Sequence, residues 1–118
     1  MSNDAFLHAL DQRVEASETP GHYPVVFGAV AGRAGVEAEA AATAYLYATA
    51  ALLVNAALRL VSIGQLDGQR VLAALRPAIA RLAAVAATAP PEEMWSFTPG
   101  LELAGLRHAE LDMRLFRS

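Results

Sequence analysis

The feature that most constrains the fold is an uncharged stretch of 19 residues, which runs from Ala40 to Leu58. This length is close to that of a helix that crosses a bilayer. Nearly half of the stretch is alanine, and its polar side chains are Thr43, Tyr45, Tyr47, Thr49 and Asn55. Alanine contributes little to membrane insertion and buried polar atoms cost energy in lipid. We therefore interpret the stretch as the central buried helix of a soluble bundle.

Composition favours an all-α fold. Alanine is abundant and β-branched residues are sparse, which favours helix over sheet. The length of 118 residues predicts a single domain over residues 1–118. A net charge of −3 argues against a nucleic-acid partner. Because the chain has no cysteine, disulfides and thiolate metal sites are excluded, and the N-terminus does not resemble a signal peptide.

Apolar spacing and helix-breaking residues predict a bundle of about five helices. The predicted segments are 4–17, 24–34, 36–61, 67–88 and a last helix that starts at Thr98-Pro99 and extends to residue 116, and Gly35 should end the second of them. The fourth segment carries an apolar stripe and an internal Pro77, which should kink or divide it. That stripe consists of Leu72, Leu75, Ile79, Leu82 and Ala86.

Two glycines in the second segment, Gly28 and Gly32, lie four residues apart and so share one helix face. Each costs about 1 kcal/mol relative to alanine inside a helix. Such a cost is usually offset when a neighbouring helix approaches closely, so we predict a helix contact at both positions. A backbone surface for a ligand is the functional alternative.

The motif GQLDGQ separates the third and fourth segments. A phosphate-binding P-loop is excluded, because the motif has no lysine and follows no strand. We predict a corner between two helices, in which Gly64 adopts a positive φ and Asp67 caps the next helix. The glutamines would satisfy open backbone groups there. The predicted structural corner comprises Gly64, Gln65, Asp67, Gly68 and Gln69.

The C-terminal segment RHAELDMRLFRS places arginines among leucine and phenylalanine, a mixture typical of interface hot spots. The alternative is a terminus that touches its own domain. The leucines from Leu101 onward follow no single stripe, so this helix either lies between two surfaces or is interrupted. Catalysis has little support, since His8, His22 and His108 are far apart and belong to no metal-binding or catalytic motif.

Three segments together resemble the family of urease accessory protein F, UreF. They are GHYPVVFG (21–28), YLYATAALLVNAALRLVSIGQLDGQRVLAALRP (45–77) and SFTPGLELAGLRHAELDMRLFRS (96–118). The resemblance is strong over residues 20–118 and weaker over residues 1–19.

This resemblance implies an all-α cytoplasmic protein that is not an enzyme and binds no cofactor directly. It implies a chaperone-like role in nickel insertion into urease, bridging a UreD- or UreH-type protein and the GTPase UreG, with the urease apoprotein reached through that complex. Partner binding then maps onto the C-terminal segment, at Arg107, His108, Arg114, Leu115, Phe116 and Arg117. A homo-oligomer is expected, and no nucleic-acid or membrane partner.

The chain departs from the family pattern in two respects. Family members are usually about twice as long, and the half missing here is N-terminal, so the chain is expected to form half of the family's helical domain. Ala109 stands where family members often have an acid after the histidine. A truncated, self-associating helical domain with no part in urease maturation is therefore the alternative function.

Overall fold

The structure is a computed structural model that describes residues 4–94 and 99–108. Within these ranges the chain is all-α, as predicted, with five α-helices and one 3₁₀ turn and without a strand. The helices are α1 (Ala5–Glu15), α2 (Tyr23–Arg33), α3 (Ala38–Leu60), α4 (Gln65–Thr88) and α5 (Pro99–His108), and the 3₁₀ turn is Pro91–Glu93.

Helices α3 and α4 form the centre of the fold as an antiparallel hairpin, and α2 packs on α3. The start of α4 contacts the end of α3, where Gly68 meets Val54 and Leu58. Farther along, Ile79 of α4 lies beside Tyr47 of α3. The buried hydrophobic residues of the described chain lie on this hairpin, at Val54, Leu72, Ile79 and Ala83.

Helix α3 is central but mostly exposed, so the prediction of a buried central helix is wrong. Val54 is its only buried residue, because the described helices cover just two of its sides. Three of the polar residues on α3 need no partner from another helix. Thr43 and Thr49 donate hydrogen bonds to the carbonyls of Glu39 and Tyr45 one turn earlier, and Asn55 is exposed.

By length and composition, α3 and α4 would each be able to cross a membrane. The 18-residue windows that qualify are only 6 % and 17 % buried in the structure. Length and apolar composition are weak evidence by themselves, because the core helices of soluble proteins also meet them. Pro77 does not divide α4, which continues from Gln65 to Thr88.

The first two helices end in the same way. In both, the N–H groups of the two residues after the cap return to carbonyls in the last turn, which forms a Schellman motif. The residue that reverses the chain has a positive φ, 76° at Gly35 after α2 and 59° at Ser17 after α1. Gly35 therefore ends α2 as the sequence predicts, whereas Ser17 takes the same conformation with a side chain.

Candidate functional site: apolar surfaces and the C-terminal helix

The predicted corner exists, but its residues act differently from the prediction. Gly64 has a φ of −77° and not a positive value, and it is the N-cap of α4. Asp67 does not cap the helix, because α4 already begins at Gln65. Asp67 lies in the first turn, where a negative charge suits the helix dipole, and it pairs with Arg70 at 2.9 Å.

The two glutamines of the corner, Gln65 and Gln69, are exposed. In the described part of the chain, neither side chain hydrogen-bonds to a backbone group, so the predicted closing role is wrong. A backbone carbonyl accepts hydrogen bonds from N–H groups in this turn instead. Asp67 and Gly68 both donate to the carbonyl of Gly64, at 3.1 Å each.

Gly68 is the residue of the corner on which the packing depends. It is buried, and a Cβ built on it would stand 3.2 Å from Val54 Cγ1 and 3.2 Å from Leu58 Cδ1. Its missing side chain therefore allows α3 and α4 to approach each other closely. The sequence predicts a turn at Gly68 and not this contact. The signal was present, since Gly68 is one helical turn before the buried Leu72.

A groove of about 450 Å³ lies between α2 and α3. Phe27 and Tyr45 line this groove, and their rings contact each other and the ring of Tyr23, with centroid separations from 5.5 to 6.1 Å. Gly28 and Gly32 line the groove, and no atom beyond their own helix and chain neighbours lies within 4 Å of a Cβ built at either. The helix contact predicted for these glycines is therefore not made by any described residue.

An ion pair between Asp4 and Arg33 joins α1 to α2. Asp4 caps α1 by accepting hydrogen bonds from the N–H groups of Phe6 and Leu7, and its other oxygen accepts one from Arg33 Nε at 2.6 Å. The hydrogen bond from Arg33 holds the pKa of Asp4 below its ordinary value, with smaller contributions from the backbone donors, although partial burial opposes the shift. With its oxygens engaged in this way, Asp4 serves to join two helices and is poorly suited to acid-base chemistry.

Helix α5 contributes the first two residues of the predicted partner-binding set, Arg107 and His108, at its C-terminal end. Basic residues are favourable at this end of a helix. Its leucines are exposed, with 73 % of Leu101 and 76 % of Leu106 accessible to solvent. The remaining predicted residues of the set, Arg114, Leu115, Phe116 and Arg117, lie outside the described residues.

Among residues 4–94 and 99–108, no three histidine, aspartate or glutamate side chains lie close enough together to hold a metal ion. The geometry of these ranges instead suits contact with another polypeptide. It offers an exposed leucine-rich helix, an open apolar groove and a hairpin with many exposed aliphatic side chains.

Comparison with known proteins gives a consistent result. The sequence model of the UreF family matches residues 1–76. A urease accessory protein UreF from Paenarthrobacter aurescens is 38 % identical over 114 residues, which are 97 % of this chain and 51 % of the relative. UreF from Bacillus sp. TB-90 is 38 % identical, with 90 % and 47 % covered, and UreF from Bradyrhizobium diazoefficiens is 42 % identical, with 92 % and 45 % covered.

The chain thus spans about half the length of the curated relatives that it matches. No solved structure matches it.

Proposed function

Because the chain belongs to the UreF family, we propose that it acts in the maturation of urease, as a non-catalytic scaffold in nickel insertion. The observation that carries this proposal is the match to relatives named urease accessory protein, which extends over nearly the whole chain. The chain corresponds to about half of each relative. The proposal therefore assigns this chain one binding surface of the complex that matures urease.

The proposed partners are a UreD- or UreH-type accessory protein and the GTPase UreG, with the urease apoprotein reached through their complex. Nickel is the cargo of this pathway in the proposal, and the chain contributes protein contacts. We place the complex in the cytoplasm. In the part of the chain that the structure describes, no group of side chains could hold a metal ion, and the exposed leucine and arginine side chains there suit contacts with protein partners.

Helix α5 is the described part of the proposed partner surface. Leu101 and Leu106 provide exposed apolar area, and Arg107 adds a donor-rich group beside them. Binding would remove these leucines from water, which favours association by roughly 25 cal/mol for each Å² of apolar surface buried. By sequence, Arg114 and Phe116 extend the same mixture of residue types.

Co-purification of the 118-residue chain with the UreD-type protein and UreG of its own genome tests the proposal. The double variants Leu106→Gln/Arg107→Ala and Arg114→Ala/Phe116→Ala should each weaken binding by about 2 kcal/mol or more. Leu66→Gln/Arg81→Ala changes the same residue types at exposed positions of α4 and is the control. Circular dichroism should show equal helicity in all variants. Failure of the unsubstituted chain to bind either protein would refute the proposal.

A further inference from the structure

We propose that one face of the α3–α4 hairpin is the docking surface for a helical segment equivalent to the part of the UreF relatives that this chain does not match. We call this surface the hairpin face and define it by Leu53 and Leu60 on α3 and Val71, Leu75 and Leu82 on α4. The proposal rests on membership of the family and is independent of the role proposed in urease maturation.

Helix geometry places these five residues on a common face. With about 100° per residue, Leu53 and Leu60 lie about 100–120° to one side of Val54, which faces α4. Val71, Leu75 and Leu82 lie about 20–60° to the same rotational side of Gly68, which faces α3. Because the helices are antiparallel, offsets of the same rotational sense fall on the same side of the hairpin.

All five side chains of the hairpin face are exposed. On α4 they border the buried line of Gly68, Leu72, Ile79 and Ala83, so the apolar stripe of this helix is wider than α3 can cover. A stripe of this width on a helix of a globular protein normally contacts a further element of the core. The hairpin face therefore has the character of a core surface that lacks its opposite layer.

The hairpin face continues into the groove between α2 and α3. Leu46, at the edge of that groove, lies on the same side of α3 as Leu53, and Ala86 of α4 also lines the groove. Beyond them Gly28 and Gly32 leave open backbone surface, which lets a second helix approach closely. The combined surface suits an amphipathic helix with large aliphatic side chains along one side.

The charge pattern favours a polypeptide over lipid. Arg70 and Arg81 lie within α4, about 140–160° from Gly68 on the same rotational side, so they border the hairpin face on the edge that is far from α3. Charged side chains inside a membrane-spanning helix are costly. The relatives supply a polypeptide of suitable size, because the 114 residues matched in the Paenarthrobacter aurescens protein are 51 % of its length. About as many residues again remain in that relative.

Co-expression provides the test. The tagged 118-residue chain is produced together with the polypeptide formed by the unmatched residues of the Paenarthrobacter aurescens protein. The complex is purified, and its molar mass is measured by light scattering. We expect a one-to-one complex. Leu53→Gln and Leu82→Gln should each weaken it by about tenfold or more. Leu52→Gln is the matched control, since Leu52 is the adjacent leucine, is 69 % exposed against 63 % for Leu53, and projects away from α4.

A fusion of the two polypeptides gives a second measurement that does not depend on their affinity. In the fusion Leu53→Gln should lower the melting temperature, whereas in the 118-residue chain alone it should not. Leu52→Gln should lower it in neither.

The proposal is overturned if no complex forms and the fusion gains no stability, or if Leu52→Gln acts as strongly as Leu53→Gln. It is also overturned if the face instead holds a second copy of this chain in the presence of the other polypeptide. Flotation with phosphatidylglycerol vesicles that Leu53→Gln abolishes would overturn it in favour of lipid. Loss of binding to the UreD-type protein with an intact one-to-one complex would affect only the proposed urease role.

Discussion

The two terminal methyl groups of Leu58 lie across the backbone of Gly68, 3.2 and 3.4 Å from the point where a Cβ would stand. A leucine at position 68 would have to displace this contact and separate α3 from α4. We therefore expect Gly68→Leu to lower the free energy of unfolding by about 1–3 kcal/mol, the usual cost of overpacking.

Gly64→Ala is the matched control in the same motif. Gly64 has an ordinary negative φ, and the nearest atom to its built Cβ is Asp67 Oδ2 at 3.8 Å. Gly64→Ala should lower the free energy of unfolding by less than Gly68→Leu does, by at most about 1 kcal/mol, because it loses only the preference for glycine over alanine at an N-cap. Urea unfolding followed by circular dichroism measures both variants, and equal effects at the two glycines would contradict the assignment of Gly68 as the contact residue.

The two Schellman motifs predict that adding glycine at Ser17 raises stability and that removing glycine at Gly35 lowers it. Ser17 has a φ of 59°, a conformation that costs a residue with a side chain about 1 kcal/mol. Ser17→Gly should relieve that strain and raise stability by about 0.5–1 kcal/mol, part of the gain being lost to the greater freedom of glycine in the unfolded chain. Gly35→Ala should lower stability by a similar amount. A built Cβ at Gly35 meets no atom within 4 Å, so this second effect isolates backbone strain. Thermal unfolding of both variants checks the signs.

Gly21 combines strain with crowding. Its φ is 60°, and a Cβ there would stand 2.9 Å from both methyl groups of Val14. Gly21→Ala should therefore destabilise the chain by about 2 kcal/mol or more, above the cost at Gly35. In a double-mutant cycle, Val14→Ala should recover the crowding part of this loss and leave the strain part. Strict additivity of the two substitutions would show that the crowding is absent.

The ion pair between Asp4 and Arg33 predicts a dependence on pH. Since the pKa of Asp4 is lowered in the folded chain, its contribution to stability is complete above the ordinary value of 3.8 and declines as the pH falls through the folded pKa. Asp4→Asn should therefore be less stable than the unsubstituted chain at pH 6, and the difference should shrink as the pH falls below 3.8. Acid titration of the urea midpoint tests this. Asp11→Asn, which changes an exposed carboxylate on the same helix, is the control.

The helices are predicted well from the sequence because the residues that start and end a helix act locally. Gly35 ends α2 as expected, and the predicted boundaries are close to the observed ones at each fully described helix. Tertiary contacts were less predictable. Periodicity correctly identifies an apolar face on α4, yet Leu72 is buried while Leu75 and Leu82 are exposed. Periodicity predicts that a face of the helix is apolar, but it does not predict which element covers that face, because this depends on the rest of the assembly.

The glycines show the same division between local and tertiary information. Two of them, Gly28 and Gly32, were predicted to permit a close contact and stand open, whereas Gly68 was predicted to form a turn and makes the close contact. Both roles require a small residue, so composition and spacing do not separate them. The two roles can be told apart once the buried residues are known, because Gly68 lies one helical turn from the buried Leu72 and on the same face.

The short connection between α3 and α4, residues 61–64, gives their hairpin a low contact order, because residues such as Leu58 and Gly68 meet across few intervening positions. Local contacts of this kind form quickly and involve little loop-closure entropy. The hairpin is therefore expected to fold first and to act as the template on which α2 and then α1 assemble. Amide hydrogen exchange should accordingly be slowest around Val54 and Leu72 and fastest in α1, which would identify the hairpin as the most persistent cooperative unit of the chain.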